Sequence, residues 1–170
     1  MYYIISFAII LLNVSNLHSK TLCNYNSSTT SDEVKYMEQK SIKVDDIDGH
    51  FIRIFKTETN HKNPSKNCEG LTIIKTEFYG ISDYINKSGT VTGYSIGTYD
   101  DGSKIFSYLN GISQTPKDQS QNGFVSLTIK ITGGAGQYKG VTGYGKGKTE
   151  FNPETGYSAG TTETFYMIRK

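Results

Sequence analysis

A chain of 170 residues fits one domain. Its 13 tyrosines, 8 phenylalanines, 18 glycines, 3 prolines and absence of tryptophan favour β-strands joined by tight turns over a helical fold. The formal net charge of +2, with lysines scattered along the chain, argues for a solvated surface rather than a phosphate-binding patch, so no nucleic-acid partner is expected.

The chain begins with an apolar run inside residues 1–12 that is too short to span a bilayer, which takes about 20 residues. It matches the apolar core of a secretory signal, with a cut after Ser19 that leaves Leu17 and Ser19 at the recognition positions. The alternative is a buried N-terminal strand. Residues 1–19 are therefore expected as a signal peptide, 20–33 as a polar, flexible lead-in rich in Asn, Ser and Thr, and 34–170 as the folded domain. This organisation predicts a secreted or periplasmic protein without a stable membrane span. Leu22 stands where a lipoprotein signal wants a small residue, so lipidation at Cys23 is not expected. Export makes the two cysteines informative. Cys23 and Cys68 either close a loop of about 45 residues as a disulfide or remain two free thiols, and an oxidising compartment favours the bridge.

Residues 32–39 read as a helical turn or the start of a strand, and 41–44 as a short strand. The acids of 45–49 resemble a calcium loop, but the twelve-residue ligand pattern is not completed and a plain turn remains. Residues 50–59 alternate, with Phe51, Arg53, Phe55 and Thr57 on one face and His50, Ile52, Ile54 and Lys56 on the other. A loop over 60–70 carries His61 and Cys68; a strand follows over 71–79, and 80–89 reads as a connection. Strands over 90–99 and 104–112 flank the Asp-Gly hairpin signal at 100–103. After a polar loop at 115–122, residues 123–132 show the clearest alternation. Val125, Leu127, Ile129 and Ile131 face the core; Ser126, Thr128, Lys130 and Thr132 face water. The glycine-rich stretch 131–145 then reads as a strand, a forced reversal at Gly133, Gly134 and Gly136, and a second strand running to Phe151. A turn at 152–156 leads to a last strand over 157–168. About eight strands with short connections and no long helix predict an all-β domain, a single antiparallel barrel whose interior is filled by side chains or holds one small ligand.

One stretch carries a resemblance. Ile131-Thr132-Gly133-Gly134-Ala135-Gly136, followed by the aromatic Tyr138 and by Gly140-Val141 and Gly143, resembles the marker of the allene oxide cyclase barrel family, whose relatives include the dirigent proteins and many uncharacterised bacterial secreted proteins. The hairpin of residues 99–106 looks like the bacterial branch, and Thr164-Phe165-Tyr166-Met167 is similar to the family's last strand. The match runs over 94–168. It implies an eight-stranded antiparallel barrel and a structural role for Gly133, Gly134, Gly136, Gly140 and Gly143. The plant cyclases use an acid and an asparagine on their first strand and a proline that holds a water. Laying residues 50–54 on their second strand puts Lys40 and Ile42 at the acid and amide and Gly49 at the proline. What carries over is the fold rather than that reaction.

Candidate chemistry is sparse. His50 and His61 have no partners in metal-ligand spacing, so no metal site is expected. No motif announces a catalytic triad, and the glycine-rich stretch leads into a strand rather than the helix a phosphate loop needs, so no cofactor is expected. Glu58, Glu77 and Glu163 lie on alternating strands, where an inward carboxylate could act as a general acid or base and an outward one would pair with lysine. Tyr79, Tyr94, Tyr99, Tyr108 and Tyr166, together with Glu77, are the cavity candidates. Inward tyrosines give apolar walls with a few hydroxyls, suited to a small hydrophobic ligand; outward tyrosines are equally ordinary. Three functions stay open: a barrel that holds or presents a small hydrophobic ligand, an isomerase or cyclase acting on an apolar substrate, and a secreted interaction scaffold with a solid core. A homo-oligomer is compatible with all three.

Overall fold

The computed structural model describes residues 21–118, 120–152 and 154–169. The expected signal segment 1–19 lies outside them. Among the described residues there are nine strands: β1 Cys23–Thr30, β2 Val34–Lys43, β3 His50–Asn60, β4 Ile73–Ile85, β5 Ser88–Tyr99, β6 Lys104–Gln114, β7 Gly123–Ala135, β8 Val141–Phe151 and β9 Ser158–Ile168. A single 3-10 turn, Gly136–Tyr138, sits between β7 and β8. No helix among the described residues is long and apolar enough to cross a membrane.

All nine strands form one antiparallel sheet in the order β1-β9-β8-β7-β6-β5-β4-β3-β2. Chain neighbours pair from β2 to β9, and β1 crosses to the far side of β9. Two strands consecutive in sequence therefore stand at opposite edges of the sheet. Only residues 31–33 join them, and three residues reach about 11 Å. The sheet has to curl until its edges meet at that turn. The turn is held by the Glu33 amide donating to Thr30 O at 3.1 Å and the Lys62 amide donating to the Glu33 carboxylate at 2.7 Å.

This corrects two expectations. The sheet has nine strands rather than eight, and it does not close: β1 and β2 share no ladder, so a seam replaces the barrel's last pairing. A bulge between Tyr36 and Glu38 bends β2 beside that seam, as bulges near sheet edges do. The extra strand is β1, which occupies the stretch expected as a flexible lead-in. Its Asn, Ser and Thr residues have little apolar content of their own. It is held by eight consecutive pairs to β9 and by burial of Cys23 and Tyr25. The connection expected at 80–89 is also smaller than anticipated. β4 and β5 run through it and turn at Asn86-Lys87, both with positive φ (51° and 66°), the backbone a two-residue hairpin demands. Gly80 sits inside β4, where an added Cβ would fall 2.4 Å from the Phe55 ring.

The glycine-rich reversal is shifted. Gly133 and Gly134 stay in β7, paired with Phe106 and Ile105. The left-handed positions are Gly136 (φ 66°) and Gly140 (φ 83°), which bracket Tyr138 and aim its ring into the core. Gly143 lies opposite Tyr166 on β9 and leaves room for that side chain.

At the far end, the turn between β2 and β3 is clasped by His50, whose Nδ1 is 2.6 Å from Asp46 and Nε2 2.7 Å from Asp83. The hydrogen bond to Asp46, then that to Asp83, holds the His50 pKa above its ordinary value. A raised folded-state pKa gives stability that is fully present below the unfolded value of about 6.5 and is lost as pH rises through the folded one. The melting temperature of the parent should therefore fall relative to that of His50→Gln as pH rises from about 6 upward. Parallel melting curves across that range would remove the clasp.

Candidate functional site

Alternation along each strand decides which side chains reach the inside of the curl. From β3 these are Phe55, Thr57 and Thr59; from β4 Thr76 and Phe78; from β5 Ser95 and Tyr99; from β6 Ile105, Ser107 and Leu109; from β7 Leu127, Ile129 and Ile131. β1, β8 and β9 add Tyr25, Ser27, Thr149, Thr162, Thr164 and Tyr166, and β2 adds Val34 and Tyr36 at the seam. All nine strands thus face one cavity of about 380 Å³. It persists because many inward positions carry small side chains: Ser27, Ser95, Gly97, Ser107 and Thr162 cannot fill the space that the curl encloses. Half of its 26 lining residues are aliphatic or aromatic, and eleven are serines or threonines. Some of those are already satisfied, as with Ser27 and Thr162, 2.6 Å apart.

One end of the cavity is built from tyrosine. Tyr138 is fully buried, with its ring 4.6 Å from that of Tyr99 and 6.2 Å from that of Tyr166. Their hydroxyls turn outward to the loop between β3 and β4. Tyr166 donates to the Glu69 carboxylate, Tyr138 hydrogen-bonds the Asn67 amide, and Tyr25 donates to Ser65 O at 3.2 Å. Asn67 in turn accepts from the Leu71 and Glu69 amides at 3.0 and 3.1 Å. The Cys23–Cys68 disulfide ties the same loop to β1. Burial pushes the Tyr138 phenol up to about 12 and raises those of Tyr99 and Tyr166 further. All three stay protonated at neutral pH.

The sequence candidates divide cleanly. Tyr99 and Tyr166 line the cavity. Tyr79, Tyr94, Tyr108 and Glu77 do not: each sits next in sequence to a residue that faces in, so its own side chain faces out. Glu77 pairs with Lys56 at 3.2 Å and Lys75 at 3.4 Å, and the Lys56 ammonium lies 5.1 Å from the Tyr79 ring. Tyr94 and Tyr108 pack edge to face on the outer surface, 5.3 Å apart. Glu58 pairs with Lys75 and Glu163 with Lys146, so none of the three candidate acids reaches the cavity. The outer lysines decide this, because an unpaired carboxylate on the apolar side would lose its hydration without recompense.

The sequence marked His61 only as a loop residue without partners in metal-ligand spacing. It lines the cavity just after β3, with Nε2 2.9 Å from Thr76 Oγ1. Burial lowers its pKa, with the Glu33 charge pulling weakly the other way, so the imidazole is neutral at pH 7. Only its position after an inward-facing Thr59 hinted at this. Among the described residues, no group of three histidines, cysteines or acids is arranged to hold a metal ion.

No family model matches the sequence, and no curated protein does. In three dimensions the chain is similar to the pterocarpan synthase dirigent protein GePTS1, with a TM-score of 0.51 and 12% identity over the whole of both chains. At that identity the likeness speaks to the fold, which is dirigent-like.

Proposed function

We propose that this protein binds a small, mostly apolar ligand in the cavity enclosed by its curled sheet, and holds or presents it without chemistry of its own. The observation that carries this is the unfilled 380 Å³ faced by every strand, within the usual range of small-molecule sites. A solid scaffold would have large residues where Ser95 and Ser107 stand. The neighbour described as a pterocarpan synthase dirigent protein lends support, since a dirigent-like fold suits a protein that shapes or presents a substrate. We place the protein outside the cytoplasm, on the signal-like segment 1–19 and the Cys23–Cys68 bridge. Binding of the neutral fluorophore N-phenyl-1-naphthylamine tests the cavity. Ser95→Phe should weaken binding at least about ten-fold by filling the space, and Tyr94→Ser, on the outer face, should leave it unchanged. Equal affinity in parent and Ser95→Phe would place the probe elsewhere.

A second reading, an isomerase or cyclase, is favoured by His61 alone. A neutral imidazole in an apolar wall is a competent proton acceptor. A ligand carried through that reaction would return from the parent with the same mass and a changed chromatographic retention, and unchanged from His61→Asn.

A further inference from the structure

β2 has one partner where the sheet leaves room for two. It pairs with β3 along Val34–Lys43, and β1, on the other side of the 31–33 turn, shares no ladder with it. On that free side one backbone bond is present among the described residues, from the Val34 amide to Ser31 O at 3.4 Å, at the turn itself. All ten residues of β2 are exposed, including Val34 and Tyr36, which face the cavity. In an antiparallel sheet alternate residues aim their N–H and C=O groups to opposite sides, so half of this strand's backbone is left to solvent along the seam. The side chains lean to one charge. β2 carries Lys35, Lys40 and Lys43 against a single acid, Glu38. Lys43 pairs with Asp45 at 3.7 Å, and among the described residues no ion pair includes Lys35 or Lys40. Glu58, opposite Lys35 on β3, is taken by Lys75. Beside Lys40 on the outer face lie Ile42, Ile52 and Ile54, all exposed.

An open edge of this length is a template for another strand. Lysines and bulges are the usual means of keeping identical edges apart, and both are present, the bulge between Tyr36 and Glu38. Pairing β2 with the β2 of a second copy sets three lysines and one acid against the same set, and like charges across a ladder are destabilising. The same lysines favour a strand that carries acids. Backbone pairing along an edge supplies affinity, and alternate side chains supply specificity. The outward side chains of an added strand stand beside Lys35, Lys40 and Ile42, and its inward ones beside Val34 and Tyr36.

From this we infer that the free edge of β2 is a docking site for an extended acidic segment of another protein, added to the sheet as a further strand, with carboxylates outward on Lys35 and Lys40 and aliphatic side chains turned to the seam. This holds whether or not the cavity takes a ligand. It needs only the backbone that the seam leaves unpaired and the excess of cations along it.

The probe is a fluorescein-labelled peptide of roughly eight residues in which Glu alternates with Val, long enough to cover most of β2. Fluorescence anisotropy with the full chain at pH 7 compares it with two counterparts. One has Lys in place of Glu; the other is the Glu–Val peptide N-methylated at every residue, which keeps the charge and loses every N–H. The Glu–Val peptide should bind at least about ten-fold more tightly than either. The Lys35→Glu/Lys40→Glu protein should reverse the preference and take the Lys–Val peptide. Amide hydrogen exchange over Val34–Lys43 should slow when the Glu–Val peptide is bound. Equal affinity for the N-methylated peptide means charge attraction without strand addition and overturns the inference. So does an unchanged preference in the double variant, protection confined to other strands, or no binding of the Glu–Val peptide. A chain that sediments as a dimer without peptide, with Val34–Lys43 already protected, puts a second copy on the edge and overturns it as well. If the double variant does not fold, the parent decides: slowed exchange in β2 together with loss of binding on N-methylation upholds the site, and the absence of either overturns it.

Discussion

Gly134→Val should melt well below the parent, by roughly 6–12 °C for a penalty of about 3 kcal/mol in a domain of this size. The cause is not backbone torsion, because Gly134 lies within β7 and is not among the glycines with positive φ. The cause is space. An added Cβ would fall 2.6 Å from Lys104 O, 2.6 Å from Tyr138 O and 2.7 Å from Tyr138 Cβ. Two of those atoms are backbone, on β6 and on the turn after β7, and neither can move without breaking the β6–β7 ladder or displacing Tyr138. Tyr138 is the most buried ring in the tyrosine cluster, so the damage spreads into the core. Gly102→Ala is the contrasting control. Gly102 has φ 83° and nothing within 4 Å of an added Cβ, so alanine pays torsional strain alone, about 1 kcal/mol. Thermal denaturation of the two variants separates crowding from torsion. If Gly134→Val melts with the parent, the packing of Tyr138 against β7 is not as described.

The Cys23→Ser/Cys68→Ser protein should be less stable by about 4 kcal/mol, the chain-entropy value for a loop of about 45 residues. The bridge spans a sequence separation of 45 and pins β1 to the loop between β3 and β4. β1 is an edge strand with polar residues over most of its length; its ladder joins it to β9, and the bridge adds the covalent tie to the loop. The same loop receives the hydroxyls of Tyr25, Tyr138 and Tyr166, and β1 supplies one wall of the cavity. Loss of the bridge should therefore lower fluorophore affinity as well as stability. Reductant should shift the parent's denaturation midpoint to that of the double variant and leave the double variant unmoved. A parent indifferent to reductant would show that β1 stands without its staple.

Much of the architecture was legible residue by residue. The alternation of Val125, Leu127, Ile129 and Ile131 placed three of the four in the cavity wall, because a period of two is a local property of extended backbone. The Asp-Gly turn at 100–103 was legible for a similar reason: Gly102 has φ 83°, which few other residues accept. β1 was not legible, since its stability comes from β9, more than 130 residues away, as the 139-residue separation between Thr164 and the Tyr25 carbonyl that it hydrogen-bonds shows. The bend at Gly133 and Gly134 was misplaced because composition marks glycine without saying whether it serves torsion or close approach.

The candidate site was less legible than the fold. Glycine and tyrosine content drew the eye to Tyr79, Tyr94 and Tyr108, which decorate the outer surface. His61 carried no motif, and its place in the cavity wall follows from what stands around it. The sequence by itself determined that the chain is built of antiparallel strands, where most hairpins turn, and which side of β7 faces the core. These depend on neighbouring residues and on torsional preferences that act over a few bonds. Tertiary structure alone decided that the sheet curls without closing and that small residues from distant strands meet to leave a cavity. Those outcomes are sums over residues far apart in the chain, where volume and charge must balance across the whole interior rather than along any one segment.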